Sequence, residues 1–144
     1  MKRFLAFILV IALVFAFAGY SRQSKARKEI VSLVENHYDT ILTACREKDA
    51  DTLCTIPGIT RVAITDGYML VSCGGAGIAP SSQDYGFYYA ADGSPVAVDC
   101  NLDILCREAN LTPKGKGFQY TDSGHNVFYT EHIADNLFFY SNSY

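Results

Sequence analysis

After residue 20, the first regular pattern in the chain is an apolar stripe with spacings of three and four residues. It runs from Ser24 to about Asp49 and predicts one long amphipathic helix. A single long helix has to cover a broad apolar surface, so we expect a sheet beneath it. The stripe consists of Ile30, Leu33, Val34, His37, Ile41, Ala44 and Cys45.

Beyond Pro57-Gly58 the pattern changes to the two-residue period of strands, and Asp66-Gly67 is a strong signal for a two-residue hairpin turn. A turn of this length fixes which residues face each other. The predicted pairs are Ile64 with Met69, Val62 with Val71 and Thr60 with Cys73. This register points the Cys73 side chain towards the core.

A second Asp-Gly turn, Asp92-Gly93, predicts another hairpin, between Tyr85 to Tyr89 and Pro95 to Val98. Its register places Tyr89 opposite Val96 and Phe87 opposite Val98, and leaves a shallow dent where Gly86 has no side chain. The spacing of apolar residues from Asn101 to Asn110 predicts a short helix.

The last part of the chain alternates between strands and turns. Phe118 to Thr121, Val127 to Ile133 and Leu137 to Tyr140 are the three expected strands. We therefore predict an α+β fold, in which one long N-terminal amphipathic helix packs on an antiparallel sheet of five to seven strands. The predicted division is a signal peptide or membrane anchor at residues 1–20 and a single globular domain at residues 21–144.

The N-terminal segment is an unbroken apolar run from Phe4 to Ala18, preceded by Lys2 and Arg3. It is short for a membrane span, and Ala16 and Ala18 form an A-x-A cleavage pattern, as in export signals. Against clean export, four basic residues follow the run, and positive flanks favour the cytoplasmic side. They are Arg22, Lys25, Arg27 and Lys28. Three alternatives stay open: a cleaved signal, an anchor with the domain outside, and an anchor with the domain inside.

Composition narrows the class of partner. The chain is 144 residues long and acidic, with fifteen Asp and Glu against twelve Lys and Arg, so nucleic acid is not an expected partner. A protein, peptide or glycan partner is expected, together with the membrane through residues 4–20 if the run is not cleaved. No motif indicates a cofactor or a metal.

Five cysteines are present and none belongs to a C-x-x-C motif. Outside the cytoplasm, Cys45 with Cys54 and Cys100 with Cys106 are the expected disulfides, and Cys73 is left as a buried thiol. Cys73 with Cys100 is a rival pairing. An enzymatic hypothesis makes Cys73 a nucleophile, with His125 or His132 as its base and Glu131 or Asp135 as the orienting group.

Aromatic residues concentrate in the predicted sheet, with ten Tyr, nine Phe and no Trp in the chain. Alternation along strands directs about half of them outwards, where they would stack on sugars or accept a peptide strand. The candidate binding residues are Tyr85, Tyr88, Tyr89, Tyr129 and Tyr140.

The sequence YGFYY from Tyr85 to Tyr89 and the sequence GHNVFYTEHIADNLFFY from Gly124 to Tyr140 carry a family resemblance. They resemble the aromatic blocks of small bacterial proteins of unknown function that bear a signal or a membrane anchor. The resemblance implies an exported single domain and implies no activity and no site residues.

The sequence thus predicts an extracytoplasmic domain, secreted or anchored, that acts as a non-catalytic binding or interaction module. A thiol enzyme using Cys73 with His125 or His132 is one alternative. A structural accessory of a membrane complex is the other.

Overall fold

A computed structural model describes residues 22–65, 67–78, 81–99, 104–106 and 110–144, which form three helices and nine strands. The predicted signal or anchor at residues 1–20 lies outside these ranges. The helices are α1 (22–36), α2 (Tyr38–Glu47) and α3 (Ala50–Cys54). The strands are β1 (Arg61–Thr65), β2 (Tyr68–Ile78), β3 (Ser81–Ala90), β4 (Ala97–Asp99), β5 (Ile104–Cys106), β6 (Thr112–Lys114), β7 (Gly117–Thr121), β8 (Val127–Ala134) and β9 (Leu137–Ser143).

Seven of the strands form one antiparallel sheet in the order β1-β2-β3-β9-β8-β7-β6, and β4 and β5 form a separate two-stranded sheet. The predicted α+β class with an antiparallel sheet is therefore confirmed. Strands β1 to β3 form one half of the main sheet, and strands β6 to β9 form the other half. The last strand, β9, lies at the centre and joins the two halves.

The predicted long helix is divided at His37, where the backbone leaves the helical conformation (φ −123°, ψ 23°). Helix α2 then ends at Lys48 in the left-handed conformation, and the Asp49 side chain caps α3 by accepting the N–H of Thr52 at 3.0 Å. Both α1 and α2 bury the predicted stripe, with Ile30, Val34, Ile41, Ala44 and Cys45 in one core cluster. The division leaves the buried stripe intact.

The first predicted hairpin is confirmed in its inner pairs, since Ile64 faces Met69 and Val62 faces Val71. Its outer pair, Thr60 with Cys73, is wrong. The β1–β2 ladder ends at Arg61 with Ser72, and the Thr60 N–H donates to the Ser72 carbonyl at 2.8 Å. On the other side of β2, the pairing with β3 shifts between Ser72 and Gly74 and leaves Cys73 without a partner residue in that register. Such a bulge takes one residue out of the pairing.

The second predicted hairpin is wrong. Strand β3 pairs with β2 and β9, and not with the segment after Asp92-Gly93. That segment packs on one face of the sheet and contains β4, which pairs with β5. The shallow dent predicted at Gly86 is also wrong, because the Tyr140 ring and hydroxyl fill the space beside it.

The short helix predicted from Asn101 to Asn110 is wrong at Ile104–Cys106, which form strand β5. The rest of that prediction, except Asn110, lies outside the described residues. The three C-terminal strands are confirmed, and they extend to Gly117–Thr121, Val127–Ala134 and Leu137–Ser143.

Both faces of the main sheet carry a core. We call the face under α1 to α3 the helix face, where Met69, Val71, Phe87, Leu137 and Phe139 pack against the helices. We call the other face the aromatic face. There Tyr68, Leu70, Tyr88, Phe138 and Tyr140 pack against Val96 and Val98 of the β4 segment.

Candidate functional site

The helices leave one part of the helix face uncovered, and a cleft of about 530 Å³ opens there. This volume is within the range of small-molecule sites. The start of α1, the β6–β7 turn and residues of β3, β7, β8 and β9 surround it. Its lining comprises Gln23, Ser24 and Arg27 of α1, Lys114, Gly115 and Lys116 of the turn, and Gln83, Gln119, Val127, Tyr129, Glu131, Phe139, Ser141 and Ser143 of the strands.

An ion pair between Arg27 and Glu131 forms the inner wall of the cleft. The Arg27 Nε donates to Glu131 Oε2 at 2.8 Å, and Arg27 Nη2 donates to Glu131 Oε1 at 2.5 Å. This two-point geometry is the strongest that a carboxylate makes with a side chain. Only 7% of the Glu131 side chain is exposed against 35% of the Arg27 side chain, so the carboxylate is buried and the guanidinium reaches the cleft.

The same carboxylate accepts a third hydrogen bond, from the Tyr129 hydroxyl to Glu131 Oε2 at 3.0 Å. Burial by itself raises the pKa of Glu131, but the hydrogen bonds from Arg27 and Tyr129 outweigh it and the pKa is lowered. Burial, together with the bond to Glu131, raises the pKa of Tyr129 to about 12. At neutral pH the cluster therefore holds an ionised carboxylate, a guanidinium and a neutral phenol.

Positive charge exceeds negative charge around the cleft. Lys114, the last residue of β6, and Lys116, in the β6–β7 turn, are exposed, and Glu131 is the only carboxylate among the described residues that line the cleft. Because Glu131 is already paired with Arg27, the two lysines leave a net positive potential at the mouth. Hydroxyl groups of Ser24, Ser141 and Ser143 add neutral donors, and Val127 and the Tyr129 ring add apolar surface.

The structure does not bring the predicted thiol-enzyme residues together. Cys73 belongs to the helix-face core on β2, whereas His132 lies against Phe138 on the aromatic face of β8. Those strands are three positions apart in the sheet, roughly 14 Å at the usual strand spacing. Burial raises the pKa of the Cys73 thiol to about 12, so it is not ionised at neutral pH.

The two histidines have other surroundings. His125 is exposed in the β7–β8 turn with φ 68°. The His132 Nε2 contacts the backbone carbonyl of Asp135 at 2.7 Å, and the Glu131 side chain points to the opposite face, as the alternation along the strand predicts. The group of Asp135 that contacts His132 is therefore its backbone carbonyl.

The five candidate tyrosines are distributed over both faces. Tyr129 lines the cleft. Tyr85 and Tyr89 are half-buried against the helix-face core. Tyr88 and Tyr140 are fully buried in the aromatic-face core, so they offer no accessible stacking surface.

Three cysteines are free thiols in the structure: Cys45 is buried, Cys54 is exposed and Cys73 is half-buried. The predicted bridge between Cys45 and Cys54 is not formed, because Cys45 faces the core and Cys54 faces solvent. Cys100 lies outside the described residues, and so do both pairings that involve it.

Within the described residues, no group of three or more His, Cys, Asp or Glu side chains is placed to hold a metal ion. In the same ranges, no helix combines the length and the hydropathy that a membrane span requires.

Sequence reasoning missed Arg27, Lys114 and Lys116 as site residues, and it considered Glu131 only as a partner for histidine. A signal for the ion pair was available. Arg27 stands three residues before Ile30 on the apolar stripe, and Glu131 shares a strand face with Tyr129. Charges on two otherwise apolar faces are expected to pair with each other.

Comparisons with known proteins add no family assignment. No protein-family model, no curated protein and no solved structure matches the chain at a significant level.

Proposed function

We propose that the protein is a non-catalytic binding module outside the cytoplasm, carried behind a signal or anchor helix at residues 4–20. Its ligand binds in the cleft between α1 and the β6–β7 turn, and the group it recognises there is an anion. The resemblance to small exported bacterial proteins agrees with this proposal but does not carry it.

The observation that carries the proposal is the excess of cationic groups around a cleft with a fixed wall. The Arg27 guanidinium is held by Glu131, so one donor group is positioned before any ligand arrives. Positioning in advance lowers the entropic cost of binding. Lys114 and Lys116 then supply the charge that an anion needs.

The geometry favours binding over the two alternatives. A thiol enzyme needs a base near Cys73, and His132 lies on the other face of the sheet. A purely structural accessory does not require a cleft lined with charge and hydroxyl groups.

The test measures binding of small anions, with inorganic phosphate and glucuronate as probes for the two common anionic groups. We expect the wild-type chain to gain about 2.7 kcal/mol of stability at a probe concentration a hundred times its Kd. The variant Lys114→Gln with Lys116→Gln is expected to lose that gain.

The matched control is Arg46→Gln with Lys48→Gln, which removes the same charge from exposed positions at the end of α2. Since phosphate also stabilises proteins non-specifically, only the difference between the two variants counts. An equal response of the cleft variant, the control and the wild type would contradict an anion site in the cleft.

A further inference from the structure

The cleft opens at the end of the described domain that follows the apolar run. Only Gly19, Tyr20 and Ser21 separate Ala18 from Arg22, and Gln23, Ser24 and Arg27 line the cleft. The five residue steps from Ala18 to Gln23 span at most about 18 Å even when fully extended. A bilayer carries a headgroup layer of about 5–8 Å on each side of its hydrocarbon core. With the run in a bilayer, the cleft therefore lies at or beside the headgroups.

Basic residues from two distant parts of the sequence meet at this end. Arg27 of α1 lines the cleft together with Lys114 and Lys116, and Arg22, Lys25 and Lys28 are exposed on the same first two turns of α1. The Lys25 Nζ lies 3.8 Å from Glu29 Oε1, and an exposed ion pair of this kind contributes little to stability. The whole chain is acidic, with a formal charge of −3, so this end is opposite in sign to the average. Basic clusters at a membrane surface are attracted to anionic lipids.

The cleft also suits the chemistry of a lipid headgroup. A phosphodiester needs cations and hydroxyl donors, which Lys114, Lys116 and Ser141 provide. The glycerol part beside it is less polar, and Val127 and the Tyr129 ring give the cleft apolar surface. A free anion would use the cations and the hydroxyl donors but not the apolar surface.

We infer that the cleft binds the headgroup of an anionic phospholipid in the same membrane that holds residues 4–18. This inference rests on the proposed function, in the form in which the apolar run is retained as an anchor. It names the anion that the cleft recognises and explains why the first residues of α1, which follow the run in the sequence, line the cleft.

The test uses the full chain in lipid nanodiscs of phosphatidylcholine, with or without phosphatidylglycerol. Acylation of each lysine by an amine-reactive ester is followed by mass spectrometry. We expect Lys114 and Lys116 to react about fivefold more slowly in discs with phosphatidylglycerol. Lys48, which does not line the cleft, serves as the internal control. Equal rates at Lys114 and Lys116 in both kinds of disc would overturn the inference.

A second variant separates a lipid in the cleft from general surface attraction. Ser141→Leu narrows the cleft without changing its charge, and circular dichroism checks that the variant is folded. After extraction in mild detergent, native mass spectrometry is expected to find phosphatidylglycerol bound to the wild-type chain and to Arg46→Gln with Lys48→Gln. It is expected to find at least about tenfold less on Ser141→Leu, as for a loss of about 1.4 kcal/mol. Equal retention by Ser141→Leu would contradict binding in the cleft.

The remaining outcomes distinguish this inference from the proposed function. If soluble glycerophosphoglycerol protects the lysines in phosphatidylcholine discs as fully as the lipid does, the anion site stands and the lipid inference fails. The anion site also stands, and the lipid inference also fails, if the chain from its native host is cut after Ala18 and still binds phosphate. If neither lipid nor soluble anion protects Lys114 and Lys116, both proposals fail.

Discussion

The two faces of the main sheet bury polar groups in different ways. On the aromatic face, the Tyr88 hydroxyl accepts the Val96 N–H at 2.9 Å and lies 2.7 Å from Thr130 Oγ1, with all three groups in the core. On the helix face, the buried polar cluster is the charged pair of Arg27 and Glu131, and it borders an open cleft. The neutral Tyr88 hydroxyl is satisfied inside the first core, whereas the charged pair meets solvent beside the second.

This difference indicates a division of roles. A hydroxyl enclosed by its partners has no capacity left for a ligand, so the network around Tyr88 fastens β4 to the sheet. The Asn142 side chain does the same when its Nδ2 donates to the Val98 carbonyl at 2.6 Å. A charged cluster with solvent on one side keeps a cation within reach of an incoming group. The following experiments test this contrast, from the largest expected effect to the smallest.

Gly86→Ala tests how tightly the aromatic face is packed. A Cβ at this position would lie 2.0 Å from the Val71 carbonyl oxygen and 2.9 Å from the Tyr140 hydroxyl. Because the first contact is backbone, the sheet itself has to move, and we expect a loss of about 3 kcal/mol or more in the free energy of unfolding. Chemical denaturation followed by circular dichroism measures it. The control Gly124→Ala, at an exposed turn, places its Cβ 3.3 Å from side-chain atoms of Asp122 and Asn126, which can shift, and should cost about 1 kcal/mol or less.

Tyr88→Phe and Tyr129→Phe remove the same hydroxyl from the two faces. At Tyr88 the change leaves the Val96 N–H buried without its partner, which costs about 1–3 kcal/mol. At Tyr129 water from the cleft replaces the lost donor to Glu131, and we expect about 0.5–1 kcal/mol. The measurement is the free energy of unfolding of each variant. Equal losses would contradict the distinction between a closed aromatic face and an open helix face.

Glu131→Gln tests the charged cluster through pH. We expect a loss of about 1–2 kcal/mol at pH 7, reduced from a fully buried pair because Arg27 is about a third exposed. The folded-state pKa of Glu131 is lowered from its ordinary value of 4.5, so its contribution is present above that pH and lost as pH falls through the folded-state pKa.

The measurement is the free energy of unfolding of wild type and Glu131→Gln from pH 7 down to pH 3. The difference between them should shrink below about pH 4.5, because the wild-type carboxyl then becomes neutral like the amide. Two parallel curves over the whole range would show that the carboxylate charge does not stabilise the fold.

Thiol labelling is the mildest test, since it leaves the fold unchanged. Burial raises the pKa of Cys45 and of Cys73 to about 12, whereas Cys54 is exposed. We expect maleimide to label Cys54 in the folded chain, and Cys45 and Cys73 only after denaturation. Peptide mass spectrometry reports each site separately. Cys54→Ser should change stability by less than about 0.5 kcal/mol. Rapid labelling of Cys73 in the folded chain would revive the thiol-enzyme alternative.

Local pattern determined much of the fold in advance. The spacing of apolar residues from Ile30 to Cys45 identified the buried helical stripe, and Asp66-Gly67 set the inner register of the first hairpin. Both signals act over a few neighbouring residues, where turn geometry and helical period leave few alternatives. The C-terminal strands were recognised for the same reason.

Only the tertiary structure decided which strands are neighbours and where the charges meet. An Asp-Gly turn at Asp92-Gly93 is compatible with a hairpin, yet β3 gains more by pairing with β9, whose Leu137 and Phe139 complete the core of the helix face. Likewise, Arg27 and Glu131 are 104 residues apart and Lys114 belongs to a third segment. The cleft arises from contacts between these distant segments, and local sequence periodicity carries no information about such contacts.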